Sequence, residues 1–221
     1  MKLHTFGRRS AAAAAVLALS MTLAACGDDA DEPSNNSAEN SSNTDDQAAD
    51  PQAQTFGAGC SEIPTEGDGS FVGMASDPVG TAAGTNPLLT TLVAAVGATE
   101  LGDTLNAAEA LTVFAPYDPA FGELGDAVTD LVNGVEEADS PQTSPLAQIL
   151  THHVLGSNND PAAVAGEQDT LNGDTLTIEG DESGMTVSDG TVTATVICGN
   201  IPTANATVYV IDKVLLGADV K

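Results

Sequence analysis

Between Ser10 and Asp212 the chain contains no lysine or arginine. Its five basic residues are Lys2, Arg8, Arg9, Lys213 and Lys221, set against 32 aspartates and glutamates. A surface of that sign repels phosphates, which argues against nucleic-acid binding and against docking on anionic lipid through basic patches. It also leaves the carboxylates few cations to pair with. Tryptophan is absent and aromatics make up 3% of the chain, so any core must be built from aliphatic side chains and alanine. The longest apolar run, Ala11 to Leu23, falls short of the ~20 residues that a spanning helix needs. No Gly-x-Ser-x-Gly elbow occurs, and no cofactor is expected.

That apolar run follows the positive residues Lys2, Arg8 and Arg9, the pattern of an export signal. It closes on Leu23-Ala24-Ala25-Cys26, which resembles the bacterial lipobox. Residues 1–25 are therefore expected to be a lipoprotein signal peptide, with Cys26 lipidated after cleavage. The alternative is an ordinary signal with an incidental cysteine. From Gly27 to Thr55 there is no Val, Ile, Leu, Met or aromatic residue. Such a segment cannot bury enough surface to offset its ordering entropy, so 26–59 is expected to be an acidic, disordered tether. The folded domain is then expected over 60–221, a size for one core. With Cys26 modified, Cys60 and Cys198 remain. In an exported protein an even pair is expected to form a disulfide, two free thiols being the alternative.

Along the domain, helical spacing leads and alternation follows. Phe71, Met74 and Ala75 read as a helix ended by Asp77-Pro78. Asn86-Pro87 reads as a cap and first turn for Leu88, Leu89, Leu92, Val93 and Val96, with Gly97 as its terminator. Leu111 to Ala115 reads as a buried strand. Asp118-Pro119 reads as the cap of a short helix through Phe121 and Leu124, with a further turn around Val128, Leu131 and Val132. Ser144-Pro145 opens a helix whose apolar stripe is Leu146, Ile149, Leu150 and His153. Period two then takes over at Thr175–Ile178, Met185–Val187, Val192–Ile197 and Val208–Leu215. Helices followed by antiparallel strands form the α+β class.

The candidate chemistry is thin. His153 lies on an apolar stripe, which makes it a core histidine bonded to backbone rather than a ligand or base, and His152 beside it is expected at the surface. Adjacent helical residues diverge by about 100°, which disfavours a chelating pair, so no metal site is expected. Asp181-Glu182 and Glu136-Glu137 lack the spaced pattern of a calcium loop. Asp212, next to Lys213, either pairs with it or bonds backbone. Asn205-Ala206-Thr207 matches a glycosylation sequon, a pathway rare in bacterial lipoproteins.

Thr112-Val-Phe-Ala-Pro-Tyr-Asp-Pro-Ala-Phe121 resembles the first signature segment of fasciclin domains, and Ala206-Thr-Val-Tyr-Val-Ile-Asp-Lys-Val-Leu215 resembles the second. Ile149-Leu-Thr-His-His-Val154 is similar to the family's central helix, with His152 where the family carries a tyrosine. The flanking cysteines and Met74-Ala-Ser-Asp-Pro78 are similar to mycobacterial single-domain fasciclin antigens. The resemblance covers Phe71 to Leu216. It implies a wedge-shaped antiparallel β-sandwich with helices packed along one side. It makes Phe114, Pro116, Asp118, Phe121, His153, Tyr209 and Asp212 signature residues of structure rather than catalysis. It also implies adhesion or ligand binding at a bacterial cell surface, on the outer face of the membrane or in the wall. The alternative is an envelope lipoprotein that takes a small apolar ligand or lipid between helices and sheet. An enzyme ranks third. The partner is an unknown surface, matrix or envelope ligand, and the membrane is reached through the lipid anchor alone.

From Cys60 onward the chain carries 24 carboxylates and two lysines, a formal charge of −22. Repulsion among them is stronger in the compact state than in the expanded chain, and it keeps the domain monomeric. The screening length falls from roughly 30 Å at 0.01 M salt to about 3 Å at 1 M. The melting temperature is therefore expected to rise along a sodium chloride series, with divalent cations acting at lower concentration. A flat or falling series would contradict this.

Overall fold

The computed structural model describes residues 50–217. The export segment, Cys26 and the tether as far as residue 49 lie outside the described residues. Ordered structure begins ahead of Cys60, where the sequence placed the boundary: Pro51–Gln54 and Ala58–Glu62 form 3-10 turns. Between them Phe56 bridges Gly199 in an antiparallel pair, which the polar composition of the preceding stretch had obscured.

Eight helices follow or interleave with seven strands among the described residues. They are α1 (Phe71–Ser76), α2 (Val79–Thr85), α3 (Thr90–Ala98), α4 (Gly102–Ala107), β1 (Leu111–Pro116), α5 (Asp118–Gly122), α6 (Ala127–Glu137), α7 (Pro145–His152), β2 (Val154–Leu155), α8 (Pro161–Val164), β3 (Gly166–Asp169), β4 (Thr175–Asp181), β5 (Gly184–Ser188), β6 (Thr193–Pro202) and β7 (Ala206–Ile211). Local chemistry accounts for several boundaries. Ser70 caps α1 through the Gly73 N–H, and Ser144 caps α7 through the Ala147 N–H, with Pro145 in the first turn. Asp160 caps α8 through Ala162 and Ala163. Asn86 does not start α3. It ends α2, and its side chain accepts from the Leu88 N–H, so α3 begins at Thr90 instead.

The strands run in the order β2-β1-β7-β6-β5-β4-β3. The consecutive strands β3 to β7 pair antiparallel, as short connections require. β1 and β7 pair parallel, a departure from the all-antiparallel expectation. These two strands are far apart in sequence, so no hairpin dictates their direction. The sheet folds over along β6, and its two edges nearly meet: Leu155 bridges Thr170, and the Leu171 N–H donates to the Val154 carbonyl at 2.7 Å. The result is a mixed sheet close to a barrel, with the sandwich-like interior of the α+β reading.

Two apolar layers result. Phe114, Leu176, Ile178, Met185, Val187 and Tyr209 fill the space inside the folded sheet. Val113, Ala115, Val208 and Val210 face the other way, against α1, α2, α3 and α7. The disulfide Cys60–Cys198, with a Cα–Cα distance of 4.8 Å, clamps the second 3-10 turn onto β6. Gly199 lies so close beneath the Phe56 ring that any Cβ there would overlap it, so glycine is what lets the N-terminal segment lie on the strand.

The bridge closes a 138-residue separation, so its loss frees nearly the whole domain in the unfolded state. The double variant Cys60→Ala, Cys198→Ala is expected to lose about 2–5 kcal/mol in urea unfolding. A loss below about 1 kcal/mol would show that the Phe56–Gly199 contact holds this segment without the bridge.

Candidate functional site

The signature residues lie on the two central strands and at their ends. Within β1 and β7, alternate side chains point into the folded sheet or toward the helices. Phe114 and Tyr209 point inward and stack with ring centroids 5.6 Å apart, and Phe56 lies 6.4 Å from Tyr209. The Tyr209 hydroxyl donates to the Asn159 carbonyl at 3.0 Å, and burial pushes its pKa up. Thr112 donates to the Ser157 carbonyl and accepts from the Asn159 N–H, while Thr207 donates to the Asn158 side chain. The loop after β2 is thus stitched to both signature segments by residues that the hydrophobic pattern did not single out. Pro116 ends β1 opposite Ile211, and Phe121 is buried on α5.

His153 is buried, with both ring nitrogens engaged by backbone. Nδ1 lies 2.8 Å from the Ile149 carbonyl, and the Leu215 N–H donates to Nε2 at 3.0 Å. That pattern requires the neutral ring with the proton on Nδ1. Burial is the main cause that pushes its pKa down to about 4. The nearby His152 works in the same direction, while the Ile149 bond and Asp189 oppose it. The side chain therefore ties the last turn of α7 to the segment after β7.

His152 is not at the surface; it is 2% exposed. The turn before β4, the turn at Asp189 and the tail at Gly217 cover it, contacts between segments that the helical stripe could not reveal. Nδ1 meets Asp174 Oδ2 at 2.9 Å, and Nε2 is sealed with no hydrogen-bond partner, 3.9 Å from Asp189 Oδ2. Asp189 itself accepts from the Thr191, Val192 and Gly217 N–H groups. Burial works against its charge, and these bonds outweigh it to hold its pKa below the usual value. A histidine–aspartate couple takes a proton from a nucleophile through the far nitrogen. Here that nitrogen faces a second carboxylate, which has no proton to give. Among the described residues, no group of three His, Cys, Asp or Glu side chains could hold a metal ion.

Asp118 caps a helix, but not its own. Its carboxylate accepts from the Thr90 hydroxyl at 2.6 Å and the Thr91 N–H at 2.7 Å, at the start of α3. Partial burial opposes its ionisation, and these bonds prevail, lowering its pKa. Asp212 bonds backbone, accepting from the Thr195 N–H at 2.6 Å, while Lys213 donates to the Thr193 carbonyl. Asn205 of the sequon is a clamp: it accepts from the Val79 N–H and donates to the Leu105 and Ala108 carbonyls. A glycan on its amide nitrogen would replace one of its two N–H donors and so break one of these three bonds.

An apolar groove of about 260 Å³ runs between α3, α6 and α7, floored by the buried Leu92, Ala95, Ile149 and Leu150 and lined also by Phe121 and Val214. Leu92, Leu150 and His153 also wall a smaller apolar space of about 60 Å³ toward α2 and α4. Along the outer side of the larger groove Val128, Leu131 and Val132 of α6 face Ala94 and Ala98 of α3. Val132 is 43% exposed, an apolar side chain at the mouth. The sequence placed apolar residues on these helices but could not show that α6 stands off from α3.

A family model described as fasciclin domain matches residues 87–217. The cell surface glycolipoprotein MPB83 of Mycobacterium bovis is 40% identical over 176 residues, covering 76% of this chain and 74% of that protein. The chain belongs to the fasciclin domain family. The immunogenic protein MPB70 of the same organism is 41% identical over 169 residues, covering 72% of this chain and 81% of that one. Among solved structures, a FAS1 domain pair from the insect cell adhesion molecule Fasciclin I is 22% identical with a TM-score of 0.42. That match covers 57% of this chain and 43% of the pair. In this fasciclin domain the match to the family takes in both signature strands, both histidines and the whole wall of the groove.

His153 makes the domain sensitive to acid. Its folded pKa of about 4 lies below the ordinary 6.5, so the unfolded chain takes up a proton that the native state refuses. The stability is complete above pH 6.5 and is lost progressively as pH falls toward 4, by about 3 kcal/mol across that window. Urea unfolding at pH 7.5 and 4.5 should show this loss. In His153→Gln the domain should be less stable at pH 7.5, and the drop between the two pH values should shrink. An equal drop in both proteins would assign the acid sensitivity to the carboxylates instead. His153→Asp, which buries an unpaired acid, should lower the melting temperature sharply.

Proposed function

We propose that this chain is an exported fasciclin domain, held by lipid on Cys26 at the outer face of the bacterial membrane, that mediates adhesion or binds an extracellular or envelope ligand without catalysis. The observation that carries the reading is the 40% identity, over 76% of the chain, to relatives named cell surface glycolipoproteins. Leu23-Ala-Ala-Cys26 at the end of the apolar run supports the anchor. The domain's own chemistry supports the absence of catalysis. Both nitrogens of His153 are occupied by backbone, and the free nitrogen of His152 is sealed toward an acid. The net charge narrows the partner to a surface that is neutral, apolar, cationic or bridged by metal.

A second reading, binding of a small apolar ligand or lipid, is favoured by the groove between α3, α6 and α7. Its walls are hydrocarbon, so water inside finds few hydrogen-bond partners, the condition under which an apolar occupant is preferred.

The anchor is tested by Cys26→Ala. The variant should leave the membrane fraction and appear in the medium, while wild type stays bound and runs as an acylated species. Retention of the variant on the membrane, with unmodified wild type, would overturn the lipid anchor. Pull-down of envelope material with full-length protein then tests adhesion. Capture that persists in high salt and is lost on unfolding is expected.

A further inference from the structure

We infer that the groove between α3, α6 and α7 takes an unbranched aliphatic chain whose head group is uncharged. This rests on the second reading above, that the groove holds an apolar ligand, and adds its chemical class.

Three observations carry it. The polar side chains that touch the groove are already engaged. His153 bonds Ile149 and Leu215 through its two ring nitrogens, and Thr91 lies against the carboxylate of Asp118. Nothing on the walls is left to receive a polar head, so only hydrocarbon enters and the head stays at the mouth. The shape favours a chain over a ring. Ala94, Ala95 and Ala98 keep the α3 wall low, branched side chains from α6 and α7 form the other walls, and Phe121 is the one aromatic ring besides His153. An engineered cavity of about 150 Å³ accepts benzene, so 260 Å³ gives room for roughly ten aliphatic carbons. The charge of the domain selects the head. α6 carries Asp130, Glu136 and Glu137, all exposed, with Asp126 just before it and Asp118 beside the start of α3. Among the described residues Lys213 is the one lysine or arginine. A carboxylate or phosphate head reaching this groove enters the field of a domain that carries 24 carboxylates and two lysines from Cys60 onward.

The test compares 1-decanol with decanoate on the full-length protein, at concentrations below micelle formation, by thermal shift and titration calorimetry. Decanol should raise the melting temperature saturably. Decanoate should bind about tenfold more weakly at low salt, and the difference should close in 1 M sodium chloride. Ala98→Trp, an exposed position on the rim, should abolish the decanol effect without changing the circular dichroism spectrum. Val132→Glu, also exposed, should weaken it. Equal binding of decanoate at low salt would overturn the choice of head group while leaving the groove as a ligand site. Binding of naphthalene but not decanol would overturn the choice of a chain. No binding of any of the three, or decanol binding that Ala98→Trp leaves unchanged, would overturn the groove itself.

Discussion

The parallel ladder between β1 and β7 is the constraint on which the rest of the domain depends. Six residues pair in register from Leu111 with Ala206 to Pro116 with Ile211, and all twelve are buried. Strands covered on both faces require a layer on each side, because a parallel pair with an open face would leave apolar side chains in water. One layer is the folded-over half of the sheet, β3 to β6. The other is the set of helices before and between the two strands. The ladder therefore fixes where α7 must lie, and with it His153, whose ring spans from the α7 backbone to the segment just beyond β7. The groove is a consequence of the same arrangement. α3 and α7 are drawn onto the sheet by large buried side chains. α6 buries only Val135 fully and stands outside them, leaving the space between.

Much of this was legible in the sequence, because the decisive segments are local. The strand at Leu111–Ala115, the helix opened by Ser144-Pro145 and the run of strands from Thr175 are set by hydrophobic period and by caps within a few residues. The core placement of His153 followed from its stripe. What was not legible depends on contacts distant in sequence. β2 and β3 are too short or too polar to show a period; β3 is exposed along most of its length and exists because β4 pairs with it. His152 sits next to a core residue on a helix and would face water on an isolated helix. It is buried because Asp174 and Gly217, from segments that follow much later, close over it. Asp118 has the local signature of a cap and does cap a helix. Which helix depends on the return of β1 past the start of α3, a matter of topology rather than of pattern.

The scarcity of cations has a structural answer in the way the aspartates are used. With almost no lysine or arginine available, a buried or half-buried carboxylate has only N–H and O–H donors to satisfy it. Asp118, Asp160, Asp181, Asp189 and Asp212 each accept from a backbone N–H, at the start of α3, at the start of α8, in the β4–β5 hairpin, in the β5–β6 turn and across β6. Among the described residues every cation–carboxylate approach within 4 Å involves His152. Among the same residues no glutamate takes part in a side-chain hydrogen bond. The difference is one of reach: an aspartate oxygen, three bonds from its Cα, folds back onto the next turn of backbone, whereas the glutamate stem, one bond longer, extends past it into water. The acids thus divide by use. The aspartates named here hold helix starts and turns through short hydrogen bonds to backbone N–H groups, with Asp118, Asp189 and Asp212 half-buried and Asp160 and Asp181 exposed. The glutamates, together with exposed aspartates such as Asp68, Asp103, Asp126 and Asp130, supply the exposed field, and it is the mutual repulsion of these acids that added salt relieves. A high acidic content and a well-determined fold are compatible in this chain because these aspartates stabilise the backbone locally while the remaining exposed acids act on the solvent.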